Sequence, residues 1–357
     1  MSPTAHIQEL QAFVTSHRGL LARGGQSKTA LKAPTNTQAF DLSGLSGLLE
    51  YSPSEYTFTA LAGTPLVEIN QALASNGQFL PFDPPFVDQG ATLGGTIAAG
   101  LSGSGRYRYG GVRDFILAVE FLDGEARLIK AGGKVVKNAA GFDIPKMMVG
   151  SLGAYGALVE VTFKVFPKPL EYTTFVTSFS TLQQAIDSLI KATLAPFDLF
   201  ALDLEPRPDH FDLFLRIGGL PASFPERLKR LKEFFGSGEI LEGNQEQSYW
   251  DGIREFSWVK KENHLVKVPM TPKKVSQLDH FLDEQAARRR YSVGANLAWI
   301  DWGNSLGQLD QKLSELNLSG LVVLGSPGKV RLGELKSVAF AKRVKTALDP
   351  QGRWLEI

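Results

Sequence analysis

Three glycine-rich segments, set far apart in the chain, constrain its fold more than any other feature. They are "RGGQSK" at 23–28, "GATLGGTIAAGLSGSGRYRYGG" at 90–111 and "GSLGAYG" at 150–156. Glycine in such density weakens helices and strands, and is used where backbone must turn sharply or approach something closely. Clustered backbone N–H groups match the oxygens and charges of a pyrophosphate. In the first segment Gly24 and Gly25 supply amides, Gln26 and Ser27 add side-chain hydrogen bonding, and Arg23 and Lys28 add positive charge. Thr92, Leu93, Gly94 and Gly95 could cradle the same group from another side. Alone, the first segment is equally a surface turn, and the third, with Gly150, Gly153 and Gly156, equally a site of close strand packing. The third segment's spacing is not G-x-G-x-x-G and it leads into a strand instead of opening a helix, which argues against a Rossmann nicotinamide site. No Gly-Lys-Ser/Thr phosphate loop is present, which argues against a nucleotide triphosphatase.

Hydrophobic periodicity places these segments among helices and strands. Ile7, Leu10, Phe13 and Val14 predict an amphipathic helix, "GLLA" a strand into the first loop, "YTFTAL" a strand, and "LVEINQALASNG" a helix. In the long glycine tract an ordinary helix with a large apolar face is not expected. "FILAVEFLDGEARLIKAG" predicts a hairpin turning at Asp123-Gly124, and "ALVEVTFKVFPKP" a strand closed by prolines. Beyond about residue 169 the texture changes. "TLQQAIDSLIKATL", "FPERLKRLKEFFG" and "KKVSQLDHFLDEQAARRR" predict helices between the strands "FDLFLRIGG", "HLVKV" and "YSVGANLAWI", as in a separate α+β domain. The basic run Arg288, Arg289, Arg290 is expected at a solvated helix end. The closing "ELKSVAFAKRVKTALDPQG" predicts a helix, and no internal repeat of fixed period is evident.

Composition excludes several functions. Thirty-eight Lys and Arg nearly cancel 37 Asp and Glu, so no overall field draws the chain to nucleic acid or an acidic membrane. The absence of cysteine removes disulfides, thiolate metal ligands, iron–sulfur ligation and cysteinyl flavin attachment. With no leader-like or membrane-spanning segment, the expected location is cytoplasmic, with any membrane association arising through partner subunits.

The order of "RGGQSK", "YTFTALAGTPLVEINQALASNGQFLPFDPP", "GATLGGTIAAGLSGSGRYRYGGVRDFILAVEFLDG" and "VVKNAAGFDIPKMMVGSLGAYGALVEVTFKVFPKP" resembles the PCMH-type FAD-binding domain of the vanillyl-alcohol-oxidase family, across about the first 168 residues. Within that family "GQFLPFDPP" and "KNAAGFDIPKMMVGSLGAYGAL" most resemble the E-subunit group of bacterial glycolate oxidases, and "LDPQG" resembles the family's returning C-terminal segment. The resemblance implies an α+β chain: an FAD-binding domain of two α/β lobes over 1–168, an inserted α+β cap over 169–321, and a segment over 322–357 returning to the FAD domain. It implies Arg23, Gly24, Gly25, Gln26, Ser27 and Lys28 on the pyrophosphate, with Thr92, Leu93, Gly94 and Gly95 around the phosphates and ribityl chain. Pro81, Gly103, Tyr109 and Gly110 would lie near the isoalloxazine, and Gly150, Gly153, Gly156 and Val159 would wrap the adenosine half. Asp114, Asn138, Asp143 and Lys146 are expected as support, holding turns or touching the cofactor. Many covalent members carry a histidine where this chain has Gln26, and the chain has no cysteine, so FAD is expected to be non-covalent. After "LDPQG" the family's Phe-Asn-Pro-Gly is replaced by Arg353 and Trp354.

Oxidising a 2-hydroxy acid on a flavin requires a cation for the carboxylate and a base or metal for the hydroxyl proton. That set is not visible in the sequence. His6 and His17 fall in the first helix, while His210, His264 and His280 are scattered without ligand spacing, so no metal is expected. Arg106, Arg108 and Arg113 could meet a carboxylate, bind phosphate, form salt bridges or touch a partner. Trp250, Trp258, Trp299 and Trp302 are expected mostly in packing. Two readings stand, beside a third, an independent oxidase using oxygen, for which the sequence offers no positive sign. One is an FAD subunit of a glycolate oxidase complex that passes electrons from glycolate or a similar acid, alongside a catalytic flavin subunit and an iron–sulfur subunit. The other is a flavin-containing subunit that organises such a complex without turning substrate over.

Overall fold

The structure, a computed structural model, describes residues 2–32, 37–133 and 142–356. The chain forms two compact units. One comprises Met1–Ser102, Gly110–Lys168 and Ser337–Ile357; the other comprises Gly103–Tyr109 and Pro169–Lys336. Of the support residues, Asn138 lies outside the described residues.

In the first unit, α1 (Pro3–Ser16) starts at Ser2, whose hydroxyl accepts from the Ala5 amide, and buries Leu10 and Val14. Strand β1 (Leu20–Arg23) pairs in parallel with β2 (Gln38–Asp41). On its other side, the Leu20 amide donates to the Arg353 carbonyl and Leu355 donates to Leu20. The chain end is therefore stitched to the strand that delivers the first glycine loop. Strand β3 (Leu48–Ser52), β4 (Thr57–Leu61), helix α2 (Leu66–Ala74) and β5 (Gln78–Phe79) follow, then α3 (Leu93–Ala99) and the short α4 (Arg106–Tyr109). Strands β6 (Ile116–Leu122) and β7 (Leu128–Gly132) form the expected hairpin, and its turn is held by Asp123, whose carboxylate accepts from the Glu125 and Arg127 amides. Helix α5 (Ile144–Met148), β8 (Ala157–Lys164) and β9 (Phe166–Pro167) complete this half, and β5 pairs with β9. The main sheet is antiparallel, in the order β3-β4-β8-β6-β7.

One face of that sheet is polar although much of it is buried. Thr59 and Thr162 share a hydrogen bond of 2.9 Å, and Glu160 stands directly opposite Glu120, which also pairs with Lys130 at 3.3 Å. Burial, then the Glu120 charge, raises the Glu160 pKa above the ordinary 4.5. A carboxyl with a raised folded-state pKa binds its proton more tightly when folded, so its charge destabilises the fold at neutral pH, and that penalty fades as pH falls through the raised value towards 4.5. Glu160→Gln should therefore stabilise the protein at pH 7 by roughly 0.5 kcal/mol, the scale of an opposed like-charge pair discounted for partial solvent exposure. Thermal melts at pH 7 and pH 4 test this: the gain in Tm must be larger at pH 7.

The second unit is built on a single nine-stranded antiparallel sheet. It contains β10 (Glu171–Phe179), α6 (Leu182–Leu194), β11 (Ala201–Pro206), β12 (Phe211–Gly219), α7 (Phe224–Phe235) and β13 (Glu239–Glu242). After α8 (Gly243–Arg254) come β14 (His264–Pro269), α9 (Val275–Glu284), β15 (Arg288–Ser292), β16 (Leu297–Trp302), α10 (Leu306–Glu315), β17 (Ser319–Leu324) and β18 (Arg331–Gly333). The sheet order is β13-β10-β12-β11-β15-β16-β14-β17-β18. Helices α7 and α9 lie on one face and α8 lies across the first half of the other. Each half contains a β-α-β-β-α-β unit with strand order 4-1-3-2, the second extended at its edge by β18, and the two units join through the second strand of each, at Leu204 opposite Tyr291. This repeat has no counterpart in sequence periodicity.

Two expectations change here. Strands β17 and β18 belong to the cap sheet, pairing with β14 and with each other, so the return to the first unit comes at Ser337 and not near 322. Arg288, Arg289 and Arg290 do not end a helix: α9 stops at Glu284, and the arginines form β15 with alternating faces. In the glycine tract, Leu93–Ala99 forms a short helix of mostly small residues that Thr92 caps and that packs closely on other backbone. The helix predicted near the C-terminus forms as α11 (Val338–Leu348), in the first unit.

Candidate cofactor-binding site

The first and third glycine segments and the start of the second converge on one cleft in the first unit. Its lining includes Arg23, Gly24, Gly25, Gln26, Ser27 and Lys28 from the loop after β1, Thr92, Gly94 and Gly95 at the start of α3, and Gly153 and Gly156 before β8.

Close backbone packing explains the glycines. A Cβ on Gly25 would overlap the Gly90 carbonyl oxygen, and one on Gly24 would lie 2.5 Å from the Thr92 hydroxyl. A Cβ on Gly94 would come within 2.8 Å of the Ala62 side chain. The loop then turns through Gln26 at φ +52°, in the left-handed region. Among the described residues, no acceptor engages the amides of Gly24, Gly25, Gln26 or Ser27. Buried Lys28 donates to the Ser27 hydroxyl at 3.1 Å and lies 5.7 Å from the centre of the Phe86 ring. Arg23 pairs with Asp41 at 3.4 Å; burial works to raise the Asp41 pKa, but the Ser43 amide and hydroxyl and then Arg23 outweigh it and lower it. A narrow cradle with open amides and two adjacent cations fits a pyrophosphate.

Helix α3 links the second segment to the third. The Thr92 hydroxyl accepts from the Gly95 amide, while at the other end the Gly150 amide donates to Ile97 and Leu152 to Ala98. Gly150 does not line the cleft; its backbone fits against Gly100, whose Cβ would lie 3.1 Å from the Gly150 Cα. Lys345 on α11 donates to the Ala154 carbonyl and to Asp349, and Asp349 also accepts from the Arg353 and Trp354 amides. The "LDPQG" segment thus buttresses the loop beside the cleft, and Trp354 is buried in the core with Leu20.

Several expected residues do not line this cleft. Leu93 backs it from within the core, and Val159 is buried among Leu10, Leu20 and Leu122. Pro81 is absent from the lining, and Gly110 fits against the Asp114 carboxylate. Gly103 and Tyr109 belong to the second unit, where Tyr109 packs edge-on to Phe200. Asp114 accepts from the Gly111 amide and Asp143 from the Lys146 amide, both of them turn-holding roles. Leu31, Lys32, Ala98, Ala99, Ser151 and Leu152 line the cleft without having been anticipated, and none carries a compositional signal except Lys32, which continues the basic character of Lys28.

Residues 3–132 match the family described as an FAD binding domain. Over 98% of its length the chain is 35% identical to glycolate oxidase subunit GlcE of Escherichia coli (strain K12), covering 94% of that protein. The chain belongs to the GlcE family of FAD-binding proteins. Glycolate oxidase subunit GlcD of Bacillus subtilis (strain 168) is 30% identical over 203 residues, 56% of this chain and 42% of that protein. Among solved structures, alkyldihydroxyacetonephosphate synthase superposes with a TM-score of 0.70 at 14% identity, covering 97% of this chain and 73% of that one, which shows the shared fold. The family expected from the glycine segments is the family found, and its cofactor is FAD. Among the described residues no His, Cys, Asp or Glu group could hold a metal ion, and no helix is long and apolar enough to cross a membrane.

Proposed function

We propose that the chain is an FAD-carrying subunit of a glycolate-type oxidase complex, handling electrons from a small 2-hydroxy acid. The observation that carries this is the cleft where Gly24 to Lys28 meet Thr92 to Gly95, in a chain matching GlcE along nearly its whole length. Bound there, FAD would supply a two-electron acceptor. The chain's own residues would hold it: the loop amides and Lys28 on the pyrophosphate, Thr92 and Gly95 beside the phosphates and ribityl chain, and Gly153 and Gly156 along the adenosine half. Gln26 offers no ring nitrogen for a covalent link, so attachment is non-covalent. A catalytic flavin subunit and an iron–sulfur subunit would complete the assembly, with any membrane contact made through them.

The test is spectroscopic. Purified chain should be yellow, and acid should release all of its flavin into the supernatant. Anaerobic glycolate should bleach the native sample, alone or once the partner subunits are added. Released flavin that stays oxidised within an active complex would leave an organising role only. A colourless chain that does not take up FAD would overturn the reading.

A further inference from the structure

Both walls of the cofactor cleft are held by one segment of the first unit, residues 345–355. On one wall, β1 delivers the Arg23–Lys28 loop, and the edge of β1 away from β2 is closed by that segment. The Leu20 amide donates to the Arg353 carbonyl at 2.8 Å, and the Leu355 amide donates to the Leu20 carbonyl at 2.9 Å. On the other wall, Ser151, Leu152, Gly153 and Gly156 line the cleft. Their loop turns through positive φ at Gly150, Leu152, Gly153 and Gly156. For Leu152 that conformation is costly, and it persists only where surrounding groups hold it.

Lys345 is one such group. Its ammonium has three N–H donors, and the fold supplies three acceptors: the Ala154 carbonyl at 2.8 Å, Asp349 Oδ2 at 2.6 Å and the Trp354 carbonyl at 2.5 Å. The Asp349 side chain is fully buried and also accepts the amides of Arg353 and Trp354. The carboxylate that holds Lys345 therefore also fixes the stretch of chain beside β1. Ala154 sits within the loop of the other wall, between Gly153 and Gly156. That loop cannot move off α11 without leaving a donor of a largely buried ammonium unpaired, which is costly. One ion pair thus ties the adenosine-side loop to the strand that carries the pyrophosphate-side loop.

We propose that Lys345 is a positioning residue for FAD: through Ala154 and Asp349 it locks the two walls in register, so that a ligand spanning both binds tightly and a ligand reaching only one does not benefit. This rests on the reading that the pyrophosphate lies on Gly24 to Lys28 and the adenosine half along Gly153 and Gly156. Lys345 itself lies outside the cleft lining. It acts through the loop backbone, and it sets the preference for FAD over FMN, which lacks the adenylate half.

The test is titration of the full chain, stripped of flavin, with FAD and with FMN. Lys345→Met keeps the apolar stem and removes the ammonium; it should lower FAD affinity roughly 10-fold and leave FMN affinity within about 2-fold of wild type, the scale of a coupling between sites. A lysine that only stabilised the fold would weaken both ligands alike, so equal losses overturn the assignment, as does unchanged FAD affinity. Gly153→Val, strained at φ +83° within the loop itself, separates this inference from the reading beneath it. If it cuts the preference for FAD and Lys345→Met does not, the loop holds adenosine and the lock is wrong. If neither variant changes the preference, the adenosine placement is wrong and the lock falls with it. Amide hydrogen exchange on the wild-type chain needs no variant. By reciprocity, FAD should slow exchange at Arg353, Trp354 and Leu355 by roughly 10-fold, and FMN should not. No slowing with FAD would overturn the lock even if the Lys345 variant failed to fold.

Discussion

Gly25→Val leaves the chain unable to retain FAD. The substituted Cβ overlaps the Gly90 carbonyl oxygen and crowds the Thr92 methyl, so the loop after β1 must lift away from the loop leading into α3. Backbone cannot yield as a flexible side chain would, and the amides of Gly24 to Ser27 then lose their common aim. Loss of two aligned N–H groups on a charged ligand should lower FAD affinity by at least about 100-fold, or roughly 2.7 kcal/mol. Gly95→Ala provides the graded comparison, because its Cβ would meet only the Thr92 hydroxyl, at 3.0 Å. Its cost should be a few-fold. Flavin fluorescence quenching during FAD titration of the stripped protein measures both, and circular dichroism confirms the folds. Equal affinities for Gly25→Val and wild type would mean that the cleft is not the flavin site.

The ease with which that site could be read follows from its physics. A pyrophosphate cradle needs bare backbone, and bare backbone appears in sequence as Gly24, Gly25, Gly94 and Gly95. Apolar walls such as Ala98 and Leu152 were illegible because any small or aliphatic residue could stand there. Leu152 even adopts a positive φ of 54°, which nothing in its identity announces. Gly103 and Tyr109 lie outside the cleft lining because the strap, glycine-rich like the cleft loops, anchors its side chains in the cap, with Ser104 donating to Asp203 at 2.7 Å. The doubled β-α-β-β-α-β cap escaped notice because its halves share strand order and not residues. Arg290 is the least legible of these residues. A run of three arginines after a helical pattern looks like a solvated helix end, whereas β15 sends Arg289 to Asp279 on the helix side and Arg290 into the opposite, dry face.

That buried arginine sets the second large effect. Asp203, fully buried on β11, accepts from Arg290 Nε at 2.9 Å, from the Ser104 and Ser292 hydroxyls, and from the Val293 amide. Arg290 also reaches Glu205 and the Tyr249 hydroxyl, both at 2.7 Å, and burial holds the Tyr249 phenol neutral as a donor to Glu205. Burial works against the Arg290 charge, but the groups around it outweigh that and keep it protonated. Asp203→Ala removes the acceptor where the two halves of the cap sheet meet and leaves a guanidinium without its main counter-charge. The expected loss is about 3–5 kcal/mol, the scale of breaking a buried ion pair from one side. Urea unfolding followed by tryptophan fluorescence reports it, because Trp250 lies within 5.5 Å of the guanidinium. Replacing both partners, Asp203→Leu with Arg290→Met, should recover most of the loss, since no charge is then stranded. If the double variant were as unstable as the sum of the single ones, the pair would act independently and the ion cluster would not be what joins the two halves.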